Sequence, residues 1–217
     1  GIRTLGKTTG TTPRLILPDG SEKMIRRWAP PNILEQIKTV AVADKMKAEA
    51  LVIECMALDP VLQFVSEKNM IRSTVGVITN VRPDHFEVMG DSLDDIAEAL
   101  SATIPDQGTL ITGDSRYAPF FTAVASEMGS RVILADAAET EAADCPRGRF
   151  LFPENAAIAR SVVSLIGLDP AAVSAYLDEG LILRESAGVS RACLEGRQVH
   201  FVDAFSAAIV EHIRNSR

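Results

Sequence analysis

Short apolar runs alternate with helix-length stretches along this chain. Residues 50–55, 75–80, 108–113, 131–135 and 198–202 are β-branched or Leu-rich and nearly continuous in hydrophobicity, the pattern of strands covered on both faces. Helix candidates lie at 32–47, 61–70, 92–102, 117–128, 154–167 and 170–178. Two carry start signals. Ser92 ahead of Leu93-Asp94-Asp95 supplies a cap and a first acidic turn, and Asp169-Pro170 pairs a capping carboxylate with a proline at the first helical position. This alternation predicts an α/β fold with a mostly parallel sheet and flanking helices. Residues 137–149 read as a variable surface connection and 179–197 as a polar linker. The chain thus divides into a large domain over 1–180 and a remainder over 181–217 too short to be a second domain.

Composition narrows the function classes. With 47% hydrophobic and 24% charged residues in 217, the chain builds a core and is not disordered. A net charge of −7 argues against a general nucleic-acid binder, whose footprint is basic. Cys55, Cys145 and Cys193 show no C-x-x-C spacing and read as thiols of a reducing compartment. No apolar run approaches the ~18 residues of a membrane span and no signal peptide is visible, so a soluble chain is expected.

The candidate chemistry sits at strand ends, where open α/β sheets bind ligands. Gly1-Ile2-Arg3-Thr4-Leu5-Gly6-Lys7-Thr8 satisfies the phosphate-loop pattern G-x-x-x-x-G-K-[ST]. In such a loop Gly1 and Gly6 would turn N–H groups toward phosphate, Lys7 would reach the β/γ-phosphates and Thr8 would ligate Mg²⁺. The loop should leave a buried strand and open a helix, so with Gly1 first in the sequence a preceding strand outside it is expected. Glu54 ends the 51–53 run, as a metal-binding carboxylate or as a paired or solvated one. Asn80-Val81-Arg82-Pro83-Asp84-His85 follows the next strand, either as metal- and nucleotide-positioning groups or as a turn around Pro83 with a surface histidine. Three such sites in one sheet favour a Mg-nucleotide centre.

Taken together these residues resemble the central, P-loop NTPase-like ATPase domain of the Mur ligase superfamily. Within it the resemblance is to the ligase subunits of poly-γ-glutamate synthases. The stretches that carry it are 53–57, 70–82, Asp84-His85 and 88–92, with Glu154-Asn155-Ala156-Ala157 and the 200–206 segment, where the superfamily's small C-terminal α/β domain begins. The resemblance implies that Gly6, Lys7, Thr8 and Thr9 serve ATP phosphates and Mg²⁺. It places Glu54 and His85 on the metal, Asn80 and Asp84 beside them, and Asn155 at the adenine. The activity implied is ATP-dependent addition of glutamate to a poly-γ-glutamate chain through an acyl phosphate, with Lys7, Glu54 and His85 catalytic. Partners implied are membrane subunits of a polymer-exporting complex, holding a cytoplasmic protein at the inner face of the membrane; self-association is left open. Arg3, Arg26, Arg27, Arg72, Arg82 and Arg116 are available for polyanionic substrates. Two other readings stand beside this one: a different Mur-type ligase, acting on folylpolyglutamate or cell-wall precursors, and a nucleotide-binding scaffold subunit.

The chain also departs from the family pattern. Many superfamily members carry a carbamylated lysine at a position that falls near Leu100 here, and no lysine follows Lys68. The phosphate loop looks stretched, and Pro13 would fall inside the helix it should open. The resemblance implies that most of the C-terminal domain lies beyond this sequence. These departures raise the expectation of a longer parent chain, which an intact mass of 23.3 kDa would exclude.

Overall fold

Strand β1 (Thr4–Lys7) starts the fold and pairs in parallel with β4 (Ala50–Ile53), from Thr4 opposite Ala50 to Lys7 opposite Ile53. The coordinates are a computed structural model and describe residues 2–10, 12–136, 153–171, 187–194 and 197–204. On its other side β1 runs antiparallel to β2 (Arg14–Ile16), which pairs antiparallel with β3 (Glu22–Met24), so the strand order is β3-β2-β1-β4. This corrects the phosphate-loop expectation. Gly1 lies outside the described residues, and Gly6 sits within the strand, opposite Ile16 and Val52. A residue built into a ladder on both sides does not form the N–H cradle of a phosphate loop. Among the described residues no helix follows it either: Thr8 N donates to Arg14 O as the chain returns in β2.

Helix α1 (Leu34–Lys45) connects the hairpin to β4. Helix α2 (Pro60–Val65) begins where Asp59 accepts hydrogen bonds from the N–H groups of Val61 and Leu62, and it continues as a π-helical stretch over Ser66–Ile71. The single helix expected over 61–70 is therefore two windings. Strands β5 (Val75–Ile78), β6 (Thr109–Thr112) and β7 (Arg131–Leu134) form a second sheet in that order. Thr109 and Gly113 donate to Thr74 and Ile78, and Arg131 and Ala135 to Gly108 and Thr112, so partner numbers advance together and the strands are parallel. A Cβ on Gly108 would lie 2.7 Å from the Thr74 carbonyl, so only glycine fits at this entry to β6.

Between β5 and β6 come α3 (Phe86–Met89) and α4 (Leu93–Ser101). Gly90 separates them at φ +113°, and Ser92 with Asp95 forms a reciprocal capping box, as the sequence predicts. Helix α5 (Ala118–Glu127) leads to β7, and α6 (Pro153–Leu165) follows. Asp169 Oδ1 accepts from Ala171 N, the expected start of the 170–178 helix, whose remainder lies outside the described residues, as does 137–149. The linker reading of 179–197 is corrected in part: β8 (Ala187–Leu194) and β9 (Arg197–Ala204) form an antiparallel hairpin.

The chain clusters into two compact units. One holds 1–76, 85–110 and 117–132; the other holds 77–84, 111–116 and 133–217. The first is cored by Leu5, Ile96, Ile104, Leu110 and Phe121, and the second by Ile78, Val81, Ile111 and Ile158. The fold is α/β, and its first sheet is mixed rather than parallel throughout.

Candidate functional site

In the first unit the site residues gather at the C-terminal ends of β1 and β4. Parallel register carries Lys7 alongside Ile53, and Glu54 N donates to the Lys7 carbonyl at 3.1 Å. Glu54 Oε2 accepts from Thr9 N at 2.5 Å, so the Thr9 amide is engaged by the carboxylate. Thr8 is tied to the hairpin: its N–H donates to Arg14 O at 2.9 Å and its hydroxyl oxygen accepts from Arg14 N at 3.1 Å. Burial alternates along β1, which puts Lys7 on the same face as Leu5. The residue is only 3% exposed, and its Nζ has no hydrogen-bond partner.

An ammonium in that position is out of the ordinary. Desolvation pulls the Lys7 pKa below its usual value; Glu35 and Glu54 oppose that pull and Arg27 adds to it. Glu35, on α1, is held by Arg27 through two parallel bonds, Nε to Oε1 at 2.8 Å and Nη2 to Oε2 at 3.0 Å. Burial opposes its ionisation, but Arg27 and Lys7 outweigh that and keep its pKa below normal. Next along α1, Gln36 donates through Nε2 to the Glu54 carbonyl at 3.2 Å, while its buried Oε1 also lacks a partner. An unpaired donor and an unpaired acceptor beside one carboxylate make an incomplete polar cluster.

His85 belongs to the same unit and caps α3 in the left-handed conformation, φ +49°, uncommon for a non-glycine residue. Its Nδ1 lies 3.4 Å from Glu87 Oε1. Among the described residues no three His, Cys, Asp or Glu side chains converge as a ready cation cage. The donors at the β1 and β4 ends, the Thr8 hydroxyl and the Glu54 carboxylate, are hard oxygens. They suit a Mg²⁺-like ion that keeps waters and takes its other ligands from phosphate.

In the second unit the loop after β5 is fixed by Asp114, which sequence reasoning passed over, and by Arg116, which it named only as a cation available to polyanionic substrates. Asp114, at the end of β6, accepts from Val81 N at 3.0 Å, and Arg116 Nη2 donates to Val81 O at 2.9 Å. Arg116 returns to Asp114 through Nε, Nη2 and its own N–H, at 3.2, 2.9 and 3.1 Å. Burial raises the Asp114 pKa, but the Arg116 side chain and the Val81 and Arg116 amides together hold it below normal. Both sides of Val81 are clamped, which sets the stem from which Asn80 and Asp84 project. Asn80 Nδ2 lies 3.5 Å from Thr79 Oγ1. Gly113 lets the two strand ends approach, since a Cβ there would sit 2.8 Å from Thr79 O. Asn155 lies on α6 and is exposed. The signal for Asp114 was available in the sequence: like Glu54, it is an acid just past an apolar strand.

Comparison with known proteins gives the family and the fold. Residues 4–151 match the Mur ligase middle domain. The chain is 38% identical over 213 residues to the "Capsule biosynthesis protein CapB" of Bacillus anthracis, covering 94% of this chain and 45% of that protein. It is 41% identical over 172 residues to the "PGA synthase CapB" of Bacillus subtilis (strain 168), covering 78% and 44%. It therefore spans somewhat less than half the length of these relatives. Among solved structures, a bifunctional folylpolyglutamate synthase/dihydrofolate synthase with Mn, AMPPNP and L-glutamate bound matches all of this chain and 59% of its own, with TM-score 0.61 and 14% identity. The S73A mutant of the L. casei FPGS matches 93% and 61%, with TM-score 0.62 and 16% identity.

Proposed function

Because the chain belongs to the Mur ligase family, we propose that it carries the ATP-dependent ligating core of a poly-γ-glutamate synthase, adding glutamate to a γ-linked chain. The observation that carries the reading is the buried, unpartnered Lys7 ammonium beside Glu54 at the ends of two parallel strands. The two relatives described as capsule and PGA synthase proteins supply the substrate class and favour it over folate or cell-wall substrates.

In this reading Lys7 holds a phosphate oxygen through its side chain, and Thr8 and Glu54 hold the divalent ion. His85 would serve the same ion, and the family resemblance assigns Asn80 and Asp84 to the nucleotide and Asn155 to the adenine. Gly1 and Gly6 are left out, because Gly6 is committed to the sheet. A divalent ion held there would supply charge neutralisation to the phosphates. The terminal carboxylate of the chain attacks the γ-phosphorus, the bond to ADP breaks, and an acyl phosphate forms. The amine of free glutamate then attacks the acyl carbon, phosphate leaves with the C–O bond pair, and the nitrogen loses a proton. The protein's share is positioning and charge stabilisation.

Among the described residues no helix is long and apolar enough to cross a membrane; association with membrane subunits of a polymer-exporting complex is part of the proposal, as is a division between ligase domain and C-terminal segment near 180/181. The test is to follow ADP release and amide formation with L- or D-glutamate, with and without those subunits. Glutamate-dependent ADP release with new γ-amide is expected; ATP turnover with no glutamate incorporated in any arm would refute the ligase reading.

A further inference from the structure

A second feature of the first unit lies beside the candidate centre. Just after β3, Thr12, Pro13, Met24, Ile25, Arg26, Arg27 and Trp28 line a half-open cavity of about 360 Å³. Trp28 is 95% exposed, the most exposed large apolar side chain among the described residues. Arg26 is exposed and takes part in no hydrogen bond or ion pair among the described residues. In a chain of net charge −7, a free guanidinium next to a bare indole is a concentration of binding groups that the fold does not use.

Arg27 links this cavity to the centre. It lines the cavity, pairs with Glu35, reaches the Gly10 carbonyl at 3.3 Å, and its charge acts on Lys7. A ligand in the cavity therefore lies next to the group that positions the candidate phosphate site. We propose that Arg26, Arg27 and Trp28 form a subsite for the part of the γ-linked glutamate chain that trails the residue being extended; this rests on the ligase reading. Such a chain offers a free α-carboxylate at every residue, separated by flat amides and methylenes. Arg26 matches a carboxylate with a planar fork of donors, and the Trp28 face matches the amide and methylene stretch between carboxylates. The same residue types can also touch an anionic membrane surface. The concave wall and the tie to Lys7 favour the polymer.

The experiment uses the full-length protein with its partner subunits and γ-glutamate oligomers as acceptor. Arg26→Glu and Trp28→Ala are expected to raise the KM for acceptor about tenfold or more, the loss of one charge-assisted contact, while kcat and the KM values for ATP and free glutamate change less than about twofold. Arg26→Lys should recover part of the loss. A direct readout is the fluorescence difference between wild type and Trp28→Phe, titrated with the oligomer; it should saturate, and Arg26→Glu should abolish it. That titration needs no turnover, so it reports on the subsite even if the ligase reading fails. An unchanged acceptor KM with a flat titration overturns the proposal. So does an equal response to polyacrylate of matched length, or loss of binding to anionic vesicles with the acceptor KM intact.

Discussion

At the end of β6 the buried Asp114 carboxylate receives hydrogen bonds from Val81 N, Arg116 N, Arg116 Nε and Arg116 Nη2. At the end of β1 the equally buried Lys7 ammonium receives nothing to donate to. Lys7 is the last residue of its strand and Asp114 lies two residues past its own, and both charges would be expensive to bury alone. The first is compensated within the fold, so its role is to hold Val81 and, through it, the 80–84 loop. The second is left uncompensated, so it weakens the empty fold and gains when an anion arrives. Charge burial by itself says little about function; what discriminates is whether the partner belongs to the chain.

The largest effect that could break this contrast is on turnover. Lys7→Met should lower ATP turnover by at least about 100-fold, the cost of removing one preorganised charge from a developing anion. Denaturant unfolding should show equal or greater stability, because an unpaired buried ammonium has been exchanged for an apolar chain of similar length. A large loss of stability would place Lys7 with Asp114, as a structural charge.

Asp114→Ala should behave the opposite way, costing about 2 to 3 kcal/mol in urea unfolding by stranding the Val81 amide and part of the Arg116 guanidinium. The pH dependence sharpens it. The folded pKa of Asp114 is depressed, so its contribution is present above the ordinary carboxylate range and fades as pH falls through the folded value. The stability gap between wild type and Asp114→Asn should therefore close below about pH 4.

The smallest effect is a proton count. The Lys7 pKa is lowered by desolvation, and a bound phosphate would raise it again. Nucleotide binding between those two values should take up protons, with uptake growing as pH rises toward the ordinary lysine value of about 10.4. Calorimetry in buffers of differing ionisation heat measures it. Uptake that survives in Lys7→Met would assign the proton to another group.

The sequence made some of this legible and hid the rest for identifiable reasons. The runs at 50–53, 75–78, 109–112 and 131–134 emerge as strands because a nearly continuous β-branched and Leu-rich signature needs no knowledge of partners, but the expected cover on both faces holds only for 109–112; Val52, Val77 and Leu134 are exposed. The Ser92 capping box is equally local, since its bonds close within four residues. Strands β2 and β3 escaped notice because Arg14-Leu15-Ile16 is short and only half-buried, and Glu22-Lys23-Met24 is short and exposed throughout. Helix α3 spans only four residues and begins at a left-handed histidine. Asp114 went unread because its importance depends on Val81, 33 residues earlier in the chain.

By itself, then, the sequence determined the α/β alternation and the family, since these depend on local periodicity and on words of sequence. Only the tertiary structure decided what Gly6-Lys7-Thr8 is. A glycine-lysine-threonine string suits a phosphate loop as readily as a strand end. Pairing with β4, 46 residues away, commits Gly6 to a ladder and buries Lys7 without a partner. Backbone hydrogen bonds between distant segments outweigh what a short motif prefers alone, and here they turned an expected cradle into a strand that ends in one buried, unpartnered charge.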